Sequence, residues 1–170
     1  MKINNVLRHL ARSAKLSALA AGLGLGFGLQ SARATIANNF TIVNHTNGAP
    51  LSLYDYQGSV ILLDFWAYWC EYCQAAASDI EPNLTRYFRK AGGNSNGVPV
   101  TVISVNIDCT DPAAEENYIQ TYGLELVGDD CNGVAYSQFN NGGIPQFAVI
   151  NGTTNSVNFA PWEIVAAPMG

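Results

Sequence analysis

Two cysteines with two residues between them, Cys70 and Cys73, close the stretch LLDFWAYWCEYCQ that runs from Leu62 to Gln74. Two thiols at that spacing can form half of a zinc site, staple the backbone, or act as a reversible dithiol. Zinc would need a second close pair of ligands. The other two cysteines, Cys109 and Cys131, stand 22 positions apart with no histidine beside them, and His45 falls in the turn HTNGAP, where it reads as a surface residue. The reading is therefore a site without metal. The short spacing forces Cys70 and Cys73 together wherever they sit, which leaves Cys109 for Cys131. Asp64 is the remaining group of interest, a carboxylate inside the apolar run LLDFW. Burying it as an anion without a partner is costly, so its pKa is expected to rise. A buried acid near a dithiol can take the proton from Cys73 as that thiol attacks. The alternative places Asp64 in a loop cap or at an exposed sheet edge.

The elements around these residues decide how they act. SVILLDFWA (59–67) is a near-continuous apolar run, as expected of a strand covered on both faces. From Glu71 to Lys90 the composition turns helical, with basic residues gathered at the far end. Cys70 thus falls where a strand ends and a helix begins, a place where free N–H groups and the helix dipole stabilise an anion. A thiolate is such an anion, and there its pKa can fall from about 8.5 to between about 3.5 and 7.5. Cys73, in the first turn and more enclosed, can attack a mixed disulfide formed on Cys70. One thiol captures and the other resolves.

Further along, NFTIVN (39–44), VPVTVISVNID (98–108) and LELVGDD (124–130) read as strands, and DPAAEENYIQTYG (111–123) and GVAYSQF (133–139) as helices. GGIPQFAVING (142–152) reads as a strand whose Asn-Gly end turns, through NGTTNS, into a partner strand VNFA. Strands alternating with helices indicate an α/β layered fold with a mixed, mainly parallel central sheet. If the strands before Cys109 and Cys131 are neighbours, the two thiols meet at one sheet edge. A structural disulfide is the first reading of that pair and a second redox pair the sharper one.

At 170 residues, with 48% hydrophobic and 12% charged content, the chain is expected to form one globular domain. Its first 34 residues read as a signal peptide: Lys2, Arg8, Arg12 and Lys15 precede LSALAAGLGLGFGL, and Ala32-Arg33-Ala34 forms a small-x-small cleavage site. The expected division is a signal peptide at 1–34 and a domain at 35–170, periplasmic or secreted and not held in the membrane after cleavage. That domain keeps three cations, Arg86, Arg89 and Lys90, against all 13 acidic residues. So acidic a surface excludes nucleic acid and anionic membranes as partners.

LLDFWAYWCEYC resembles the active-site segment of the thioredoxin superfamily, commonly Asp-Phe-Trp-Ala-x-Trp-Cys-x-x-Cys. The stretch 37–67 is similar to the entry segment of its exported TlpA-like and redoxin branch, and GGIPQF to its cis-proline loop. The resemblance covers roughly residues 37–151. It implies a thioredoxin-like fold with a strand-helix insertion, and an enzyme exchanging the Cys70–Cys73 disulfide with protein thiols, without cofactor. It further implies a cis bond between Ile144 and Pro145, substrate pairing along Ile144, and an apolar surround of Trp66 and Trp69 with Tyr72 beside the dithiol. A reductant would draw on a membrane thiol protein as electron donor.

The departures concern tuning and shape. Glu71 sits beside the developing thiolate, where it raises the Cys70 pKa and favours a reductant, while Tyr72 is an aromatic of the kind found in oxidising relatives. Pro82 comes nine residues after Cys73 rather than five, so the helix is expected to break one turn late. APWEIVAAPMG (160–170) is too short and Pro-interrupted for the family's full terminal helix. A redoxin-type thiol peroxidase is a rival reading, but DFWAYWC lacks the Pro and the Thr or Ser that such a site needs before its cysteine. A non-catalytic binding module is the other.

Overall fold

The structure, a computed structural model, describes residues 34–169. The signal-peptide reading lies, apart from Ala34, outside the described residues. Its organising element is β3 (Val60–Trp66), whose residues Ile61, Leu63, Phe65 and Trp66 are fully buried. β4 (Val100–Asn106) pairs with it in parallel along its whole length, and β6 (Gln146–Asn151) pairs antiparallel on the other side. β5 (Val127–Asp129) extends the parallel centre beyond β4. The flanks are antiparallel: β1 (Thr41–Asn44) beside β5, β2 (Pro50–Ser52) beside β1, and β7 (Glu163–Met169) beside β6. The seven strands lie in the order β2-β1-β5-β4-β3-β6-β7. Both edges are guarded, β2 being three residues long and β7 carrying Pro168.

Alternation along β3 and β4 divides the core into two layers. Leu63, Phe65, Ile103 and Val105 face one side, with Phe40 and Phe139. Trp66 faces the other, with Cys70, Cys73, Ala77 and Tyr118. Asp64 and Ser104, register partners on β3 and β4, share that second face by parity.

The helix expected over 71–90 is divided. α1 (Glu71–Ile80) passes into a π-helical turn, Glu81–Thr85, before α2 (Arg86–Ala91). Pro82 falls in the first positions of that turn, where its missing N–H removes a helical donor. α2 stops at Gly92, whose φ of 76° only glycine adopts without strain. α3 (Pro112–Tyr122) is capped by Asp111, which accepts from the Ala114 N–H, and α4 (Tyr136–Phe139) is a single turn.

The C-terminal hairpin differs from its expectation. VNFA is not a strand, and Val157 is 95% exposed. The cause is Asn151, whose side chain donates to the carbonyls of Thr153, Phe159 and Ala160 and ties residues 152–160 into a folded loop. The return strand begins only at Glu163, after Trp162 has stacked on Tyr54 at 4.0 Å. The segment too short for a terminal helix thus supplies an edge strand.

Candidate active site

β3 ends at Trp66, and Cys70 is the N-cap of α1. Its Sγ accepts a hydrogen bond from the Cys73 N–H at 3.1 Å, so a free donor of the first turn already points at the sulfur. Cys70 and Cys73 are joined as a disulfide. Both are buried, Cys73 more deeply at 1% exposure against 6% for Cys70, so an approaching thiol meets Cys70 first.

On the helix-facing side of β3 lies Asp64, 2% exposed. Burial, reinforced by the charge of Glu81, pushes its carboxyl up to about 7. At neutral pH it is therefore divided between its acid and base forms. Trp66 packs flat on Tyr118 of α3, with ring centroids 4.2 Å apart, and closes this layer on the side of Cys73.

The loop before β6 forms the facing wall. Ile144 packs against both core layers, and its carbonyl oxygen lies 3.7 Å from Cys70 Sγ. The Ile144–Pro145 peptide is cis. Gln146 holds the loop in place, accepting from the Asn141 N–H at 3.1 Å while donating to the Phe139 carbonyl. Trp69 and Tyr72 are 57% and 79% exposed and form an apolar rim, with Glu71 also in solvent. The Trp69 indole N–H donates to Asp108 at 2.6 Å, and the Thr110 hydroxyl and N–H hold the same carboxylate. These bonds, led by that of Thr110, keep the Asp108 carboxyl below its ordinary range. Sequence reasoning missed Asp108 because its partner is 39 residues away.

β4 and β5 run side by side, and the loops leaving them join Cys109 to Cys131 in a second disulfide. The second bond closes a long loop at the same sheet edge as the dithiol, which restricts the unfolded chain. Replacing both Cys109 and Cys131 by serine is expected to cost about 3 kcal/mol in chemical denaturation. Unchanged stability would contradict a structural role.

His45 is half-buried in its turn, with its side chain 22% exposed. Nδ1 lies 3.1 Å from Asp129 and 3.2 Å from Glu115, and Nε2 lies 3.1 Å from Glu116. Burial alone would lower the pKa of His45, but the hydrogen bonds to Glu116 and Asp129 and the nearby carboxylates raise it overall. His45, Glu115 and Asp129 place ligand-type atoms within 4.8 Å of one another, the spacing that holding a cation would need. Each ring nitrogen already faces a carboxylate, so the group serves as an ion-pair network tying the turn after β1 to α3 and β5.

A buried dithiol at a strand-helix junction, over a buried acid and beside a cis-proline loop, defines a thioredoxin-like protein. Residues 58–157 match the thioredoxin-like family model, and the chain belongs to that family. Over 90 residues it is 30% identical to the thiol-disulfide oxidoreductase ResA of Bacillus subtilis, covering 53% of this chain and 45% of that protein. The match to ResA of Bacillus anthracis is 29% over the same length, with 53% and 46% covered. These matches thus span about half the length of the curated relatives. Among solved structures, a putative thiol:disulfide interchange protein DsbE from Chlorobium tepidum superposes with a TM-score of 0.63 at 23% identity, over 81% of this chain and 84% of that one. A secreted Mycobacterium tuberculosis disulfide oxidoreductase gives 0.53 at 24%, over 71% and 86%. At these identities the superpositions establish the fold.

Proposed function

We propose that the protein is an exported thiol-disulfide oxidoreductase that reduces disulfides in client proteins. The observation that carries this reading is the Cys70–Cys73 disulfide at the N-terminus of α1, with Asp64 buried on the face that α1 covers. In the reduced enzyme the Cys70 thiolate attacks a client disulfide. A Cys70–client bond forms, and one client sulfur leaves as thiolate and takes a proton. Cys73 then gives its proton to the Asp64 carboxylate and attacks Cys70 Sγ, releasing the second client thiolate and closing the Cys70–Cys73 bond. The client gains two electrons and the enzyme loses two.

The rim of Trp69 and Tyr72 offers apolar contact to an extended client strand, and the backbone at Ile144 and Pro145 offers hydrogen bonds. Glu71 beside Cys70 favours the reducing direction. Regeneration requires a dithiol donor, for which a membrane thiol protein is the reading the family supplies. Export rests on the basic, apolar and small-residue order of 1–34 and on the exported character of the branch it resembles. Among the described residues, no helix is long and apolar enough to cross a membrane. The direct test is insulin reduction driven by dithiothreitol. Faster precipitation of the insulin chains than with dithiothreitol alone is expected, and equal rates would overturn the reading.

A further inference from the structure

Glu81 is a buried carboxyl that the steps above leave unused. It is 2% exposed, in the π-helical turn that joins α1 to α2. Its Oε1 accepts from the Glu125 backbone N–H at 3.2 Å, while Oε2 has no partner. A buried acceptor left without a donor is costly, and in native proteins it marks an ordered water or a functional site.

It is not alone. Ser104 Oγ, Tyr118 Oη and Trp66 Nε1 are also buried and unpartnered, and the Thr85 hydroxyl lies beside the Glu81 carboxyl. Ser104 is the register partner of Asp64 on the helix-facing side of the sheet, and Tyr118 stacks on Trp66 in the same layer. Between the sheet and its covering helices, two carboxyls, Asp64 and Glu81, thus share a layer with three hydroxyls. A polar layer of this kind is suited to a few ordered waters, each bridging two or more groups. A groove lies beside it. Thr85 and Glu125, which flank Glu81, line a groove of about 430 Å³ with Phe88, Arg89 and the start of β4. Cys70 follows the carboxyl end of β3, whereas the groove meets the opposite end of the parallel strand β4.

We propose that Glu81 is a positioning residue for the proton step, relaying the proton that Asp64 takes from Cys73 to solvent through the groove at Thr85 and Glu125. The proposal rests on the oxidoreductase reading given above. It resolves a difficulty in that reading: a client seated on Cys70 and Ile144 covers the near side, and the proton passed to Asp64 must be drawn off for the transfer from Cys73 to go forward. Each transfer is between a carboxyl and water, Asp64 to water to Glu81 to the groove, so charge balances at every stage.

The groups around Glu81 fit this role. Burial and the Glu125 carboxylate raise its pKa, while the Glu125 N–H, Thr85 and Arg86 lower it, leaving a net rise. Arg89 feels its charge weakly from α2, and Tyr118 on α3 feels that of Asp64. Two carboxyls in one buried layer titrate as a coupled pair rather than ionising independently.

The test is single-turnover oxidation of the reduced, full-length protein by 5,5′-dithiobis(2-nitrobenzoate), followed by stopped flow. The first nitrothiobenzoate released reports Cys70 and serves as the internal reference; the second reports attack by Cys73. Glu81→Gln should slow the second release about five- to tenfold relative to the first, most clearly above pH 7, where Asp64 is ionised with or without the Glu81 charge. On an Asp64→Asn background, Glu81→Gln should add nothing, as expected of two groups on one route. If Asp64→Asn slows the second release and Glu81→Gln does not, the relay is overturned and the oxidoreductase reading stands. If Asp64→Asn itself has no effect, both the relay and the assigned role of Asp64 fail. Carboxyl ¹³C titration of the wild-type chain decides the matter even if Glu81→Gln fails to fold. Asp64 should respond in two steps, one tracking Glu81. A Glu81 signal that titrates like an exposed glutamate, with Asp64 indifferent to it, overturns the proposal.

Discussion

Replacing Cys70 by serine should abolish insulin reduction, a loss on the order of 10³-fold or more, while leaving the fold intact. The loss follows because a hydroxyl at neutral pH offers neither the anion nor the polarisable sulfur that attacks a disulfide. The fold should survive because Cys70 is the N-cap of α1, and serine is among the best N-caps. Cys73→Ser should behave differently. It keeps the capturing thiol and loses the resolving one, so a Cys70–client mixed disulfide should accumulate and appear on non-reducing gels. Full turnover by Cys70→Ser would remove Cys70 from the chemistry, and equal behaviour of the two variants would contradict the division of roles.

Asp64→Asn should slow the resolving step by about 10²-fold near neutral pH, the usual worth of a positioned general base. The wild-type rate of that step should rise through about pH 7 as Asp64 ionises, and the variant should lose this rise. The same substitution should stabilise the fold, with a sign set by linkage. A carboxyl that ordinarily titrates near 3.8 is held at about 7 by burial and by Glu81. Below pH 3.8 it is protonated in both folded and unfolded chains and costs nothing. From there up to about pH 7 the folded chain holds the proton more tightly, so stability falls with rising pH, and above about 7 the cost is complete. At full size that cost is roughly 4 kcal/mol, from which the desolvation of a buried Asn amide subtracts. Urea denaturation of both proteins at pH 4 and pH 8 measures it. The advantage of Asn should be larger at pH 8 by several kcal/mol, and a difference independent of pH would mean that Asp64 does not carry the raised pKa.

The course from β3 through Cys70 into α1 was legible because every signal there is local. A continuous apolar run marks a covered strand, the two-residue gap joins the thiols whatever the fold, and the turn to Gln and Ala marks the helix. Pro82 announced the interruption, although only the backbone shows that it takes the form of a π-helical turn. What the sequence hid depends on partners distant in the chain. Glu81 stands between Ile80 and Pro82, and nothing local distinguishes it from the exposed Asp79; its burial comes from packing against Glu125 and the sheet. Asp108 gains its place at the rim through Trp69 and Thr110, and His45 is half-buried because α3 and β5 surround it with carboxylates. In VNFA the β-propensity of Val and Phe loses to Asn151, one side chain that holds three carbonyls of the connecting loop.

The central claim is that one disulfide, Cys70–Cys73, is the working bond. It is tested most directly by equilibrating the intact protein with a series of glutathione redox buffers, quenching with acid, alkylating free thiols and locating the labels by peptide mass spectrometry. The account predicts that Cys70 and Cys73 become labelled together, with a midpoint near about −270 mV, while Cys109 and Cys131 stay joined across the range. A midpoint near about −120 mV would contradict the reducing direction, and a Cys70–Cys73 bond that opens in no buffer would contradict the oxidoreductase itself.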